Sequence, residues 1–137
     1  MELIQKHTEK NILARWNYTY EEWRIFLRWK LLKKSYIHYL IHIRKSKQKK
    51  IPEVIITHQR VWIDEKHEHF HFNDRSLKRI DIKDEGRLNV LQIIYEQQHT
   101  SGPFNMDIHV PVPKGKLKEA IEVEEKLNMI RNTNQRG

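Results

Sequence analysis

Cysteine is absent from the chain, which excludes disulfides, thiolate metal sites and cysteine nucleophiles together. Glycine is scarce too. Its four positions, 86, 102, 115 and 137, form no glycine-rich phosphate cradle of either common type. The four serines (Ser35, Ser46, Ser76 and Ser101) sit in no nucleophile elbow. No uninterrupted apolar run approaches the roughly eighteen residues of a spanning helix. The longest apolar patch of the first half, Tyr36 to Ile43, is cut by His38 and His42 and flanked by lysines. Met1 to Lys10 has no apolar stretch followed by small residues, so it does not read as a secretory signal, and the cytoplasm is the expected compartment.

Acidic residues are missing from one long stretch. Between Arg24 and Lys50 stand Arg24, Arg28, Lys30, Lys33, Lys34, Arg44, Lys45, Lys47, Lys49 and Lys50, with no carboxylate among them. The net charge is +8, so the remainder of the chain is slightly acidic. A block of one sign raises the local potential and favours an acidic partner, although a solvated helix face gives the same pattern. With 137 residues, 38% hydrophobic and 32% charged, the chain suits one globular domain with a heavily charged surface.

Thr19 followed by Glu22 is a capping box, and Tyr18 with Trp23 has the spacing of a hydrophobic staple. These signals predict a long helix from about Tyr20 to Lys45. Its apolar positions fall in two strips. One holds Phe26, Trp29, Leu32, Tyr36, Tyr39 or Leu40, and Ile43, and the other Trp23, Leu27, Leu31, Ile37 and Ile41. Residues 1–15 carry little pattern.

Past the basic linker to Pro52 the texture changes to short β-branched and aromatic runs. Strands are expected near Val54–Thr57, Arg60–Ile63, His67–Phe72, Ser76–Lys83, Leu88–Glu96 and Met106–Val112, with turns at Asp64–Lys66 and Asp84–Arg87. Met106, Ile108, Val110 and Val112 alternate with polar residues and Pro111, as a half-buried edge strand does. Lys116 to Ile130 reads as a helix with Leu117, Ala120, Ile121, Leu127 and Ile130 toward the core. The expected class is α+β: a long N-terminal helix, an antiparallel meander of about six strands, and a C-terminal helix. The segments are 1–50, 51–130 and a polar tail at 131–137, together one structural unit.

The stretch from Ile51 to Asn128 resembles bacterial pleckstrin-homology-like domains. The likeness lies in the turn near Asp64–Lys66, the Phe70-His71-Phe72 strand, Leu77 to Ile82, and the long strand from Leu88 to Tyr95. The ending Ile108-His109-Val110-Pro111-Val112-Pro113 and the helix after it complete it. Trp16 to Trp23 resembles the polar aromatic lead-in to the paired membrane helices that some of those proteins carry, although no such pair follows here. The resemblance implies a partly open, bent sheet closed by a helix, and a binding role.

His67, His69 and His71 alternate with Glu68, Phe70 and Phe72, which puts three imidazoles on one strand face. Two can ligate one zinc or copper ion, with Glu65, His58 or His99 as a third donor. A solvated strand face opposite a buried aromatic face is the simpler explanation, and neither a metal nor another cofactor is expected. His38 and His42 stand one helical turn apart without the glutamate of a metalloprotease. Protonation near their ordinary pKa of about 6.5 would add to the basic stripe.

The expected activity is therefore binding without catalysis. Arg24, Arg28, Lys30, Lys33, Lys34, Arg44, Lys45 and Lys47 would contact an acidic membrane surface or acidic protein. Trp23, Trp29 and Tyr36 would serve as interface aromatics, and a homodimer would form if the helix packs on its twin. The alternative is non-specific nucleic-acid binding, with phosphates on the basic residues and bases stacked on Trp29, Tyr36 and Tyr39.

Overall fold

A computed structural model of the chain describes residues 12–32, 51–71 and 74–136. Its elements are β1 (Ile12–Trp16), α1 (Tyr20–Leu32), β2 (Val54–Thr57), β3 (Arg60–Ile63), β4 (Lys66–His69), β5 (Arg75–Asp84), β6 (Asn89–Gln97), β7 (Phe104–Val112) and α2 (Leu117–Arg136). The strands form two antiparallel sheets, ordered β1-β2-β3-β4 and β5-β6-β7.

This corrects the expected architecture. A long N-terminal helix does not open the fold. The described helix has 13 residues and lies behind a strand. Ala14 and Trp16 turn inward on that strand and are buried, while Arg15 between them is exposed. Trp16 pairs with Val54 of β2. With the capping box fixing the helix start, Ile12–Trp16 is left extended and adds the seventh strand. Positions 33–45 of the expected helix lie outside the described residues.

Period-two burial marks the sheet of β5, β6 and β7. On β7, Ile108, Val110 and Val112 face inward, opposite Ile93, Leu91 and Asn89 of β6. From the other sheet Val54, Ile56 and Val61 join them, although β2 is buried at all four of its positions. Both sheets share one apolar cluster with Trp16, Tyr18, Phe70, Tyr95 and the Ala120, Val123 and Leu127 side of α2. The α2 register also departs from expectation. Leu117 and Ile121 are 43% and 42% exposed, whereas Val123 is buried. Ala120, Val123 and Leu127 follow the three-then-four spacing of a single inward stripe, which bypasses both.

Long-range hydrogen bonds fasten the parts together. Trp16 Nε1 donates to Glu119 Oε1 of α2 at 3.1 Å. The Tyr95 hydroxyl donates to Glu68 Oε2 at 2.6 Å, which ties β6 to β4. The β5–β6 turn is closed by Gly86, whose N–H donates to Asp84 Oδ1 at 2.9 Å and whose φ of 92° suits glycine.

Candidate functional site

Helix α1 begins where its cap dictates. Thr19 N–H donates to Glu22 Oε1 at 2.8 Å, and Glu22 N–H donates back to Thr19 Oγ1 at 3.1 Å. The second carboxylate oxygen accepts from the Lys114 N–H at 2.6 Å, so the same side chain pins α1 to the loop between β7 and α2. Burial pushes the Glu22 carboxyl up, but the bonds from Thr19 and Lys114 outweigh it and hold the group below its ordinary range.

Beneath α1 runs a chain of rings. Tyr18 lies 5.4 Å from Trp23, Trp23 5.2 Å from Phe26, Phe26 5.9 Å from Trp29, and Trp29 meets the His109 edge of β7 at 5.2 Å. Phe26 is buried and both tryptophans are half-buried. The Tyr18 hydroxyl donates to the Pro111 carbonyl at 2.7 Å. Burial first, and then the Glu22 charge, push that hydroxyl far above its ordinary pKa, so it remains a donor. Trp23 and Trp29 therefore seat the helix on its own sheet.

The opposite face carries the cations. Arg24 and Arg28 stand one turn apart, both are exposed, and neither has a carboxylate ion-pair partner among the described residues. Lys30 does not share that face: one turn after Phe26, it is half-buried with Nζ 5.8 Å from the Phe26 ring. Lys33, Lys34, Tyr36, Arg44, Lys45 and Lys47 lie outside the described residues, as do His38 and His42.

Two outward residues were missed in the sequence reading. Tyr20 is 63% exposed and Leu32 44% exposed. They bracket the arginines at a constant spacing of four: Tyr20, Arg24, Arg28, Leu32. That spacing is visible in the sequence. By spacing Leu32 also shares a strip with Phe26 and Trp29, and the seat of Trp29 on His109 turns those two toward the sheet and leaves Leu32 outside.

The histidine strand is shorter than the expected His67–Phe72: β4 ends at His69, His71 lies in the bend that follows, and Phe72 lies outside the described residues, so only His67 and His69 share a strand face. His67 and His69 rings stand edge to face at 5.0 Å, while Phe70 is buried and Glu68 turns toward Tyr95. Among the described residues, no group of three or more histidine or acidic side chains is placed to hold a metal ion. Nor, among the described residues, is any helix long and apolar enough to cross a membrane. No protein-family model, curated protein or solved structure matches the chain.

Proposed function

We propose that the chain is a non-catalytic binding module that presents the outward face of α1 to an acidic partner, either an anionic membrane surface or an acidic protein. One observation carries this reading. Arg24 and Arg28 are exposed and have no carboxylate partner among the described residues, on a helix whose other face is clamped by Trp23, Phe26 and Trp29. Cations held in this way are available to a partner, and their helix is already ordered, so binding costs little conformational entropy.

Kinship with pleckstrin-homology-like domains belongs to the same proposal. Its support is the run of antiparallel strands in two sheets followed by a packed C-terminal helix. Fold alone assigns no ligand, so the argument for binding rests on α1. The proposed setting is the cytoplasm, peripheral to a membrane where the partner is lipid.

Fluorescence anisotropy of labelled polyglutamate tests the acidic-partner reading. The intact chain is expected to bind and to weaken as salt rises. The Arg24→Gln/Arg28→Gln variant should lose about tenfold, since each exposed pair contributes up to ~1 kcal/mol. Equal binding by both proteins contradicts it.

A further inference from the structure

From the outward stripe of α1 we infer that the acidic partner is the anionic surface of a lipid bilayer, with α1 lying in the plane of the headgroups. This rests on the reading of α1 as the contact face and specifies what the face meets.

The stripe Tyr20-Arg24-Arg28-Leu32 extends over roughly 18 Å of helix axis, at 1.5 Å per residue. Its middle is cationic and both ends are apolar, with Tyr20 and Leu32 among the large exposed hydrophobic residues. Ile25, Leu27 and Leu31 are half-buried along its shoulders. An acidic peptide would satisfy the two guanidinium groups and leave the apolar ends without a complement. A bilayer boundary meets both. Phosphates and carboxylates of the headgroups take the arginines, while the tyrosine ring and the leucine dip into the acyl boundary.

Glu21, exposed beside Tyr20, opposes an anionic surface, which centres the contact toward Leu32. Glu22 does not compete with the arginines, because its oxygens accept from Thr19 and Lys114. The rings under the helix keep this face outward, so the stripe is presented ready-formed.

Co-sedimentation of the full chain with phosphatidylcholine vesicles, with and without phosphatidylserine, tests the inference, and polyglutamate binding is measured beside it. The chain should pellet with the phosphatidylserine vesicles and stay in solution with the neutral ones. Arg24→Gln/Arg28→Gln should lower partitioning about thirtyfold, at the usual contribution of a cation near such a surface. Tyr20→Ser/Leu32→Ser should lower it about tenfold and leave polyglutamate binding unchanged. All four positions are exposed, and unaltered circular dichroism checks that the variants fold. Polyglutamate binding without pelleting overturns the bilayer and leaves the acidic-partner reading standing. Loss of both removes the two together. Pelleting that ignores Tyr20→Ser/Leu32→Ser also overturns the inference.

Discussion

The Lys114 N–H donates to Glu22 Oε2 at 2.6 Å, joining the first turn of α1 to a loop 92 residues further along the chain. One carboxylate thus caps a helix and docks it. Glu22→Ala removes the acceptor of both backbone donors, Thr19 and Lys114, and should cost about 1–2 kcal/mol of stability, read as a shift of the urea midpoint. No change in midpoint would show that water replaces this latch without loss.

The same residue sets a pH dependence. Its folded-state carboxyl titrates below the ordinary glutamate range. The associated stabilisation is therefore complete above that range and is lost as the pH falls through the folded-state value. Glu22→Gln removes the ionisation. Urea titrations at neutral pH and in acid should show the gap between wild type and Glu22→Gln narrowing as the solution is acidified. A gap that widens in acid reverses the sign and contradicts the assignment.

Tyr18 makes a second fastening, from the residue before the cap to the edge strand β7. Tyr18→Phe leaves the ring in place and deprives the Pro111 carbonyl of its donor. A loss of about 1–2 kcal/mol is expected in thermal or urea unfolding, because the bond is buried. A neutral result would mean that the ring alone anchors this segment.

The register of α2 separates two neighbouring apolar residues. Leu127 is fully buried in the apolar cluster that the two sheets share, so Leu127→Ala should destabilise by about 2–5 kcal/mol. Ile121 lies on the exposed side, and Ile121→Ser should stay within about 0.5 kcal/mol of wild type. Urea unfolding of the pair distinguishes this register from the one read in the sequence, which placed both residues in the core.

Local chemistry explains what the sequence disclosed. Thr19 and Glu22 announce a cap because the motif closes on itself within four residues, and the Tyr18–Trp23 ring contact follows from it. The inward set Ile108, Val110 and Val112 of β7 was legible for the same reason, whereas Met106, which the alternation groups with them, is 39% exposed. Ile12–Trp16 was not, because a five-residue strand with a bulge near Ile12–Ala14 shows too little alternation, and its pairing with β2 spans the whole basic segment. No proline or glycine interrupts positions 20–45, so the sequence carries no stop signal for the helix there, and only Tyr20–Leu32 of that span falls among the described residues. At the site, the cationic block was plain. Which aromatic residues face outward was not, since that is decided by His109, some eighty positions away from Trp29 in the chain.

The absence of cysteine allows one probe to be placed at will. An environment-sensitive fluorophore at Leu32→Cys, compared with one at Ile121→Cys, reports which surface meets the partner as polyglutamate or phosphatidylserine vesicles are added. Contact through α1 predicts a salt-sensitive change at position 32 and none at position 121. A response at position 121 with silence at position 32 would move the contact to α2 and contradict the role given to Arg24 and Arg28.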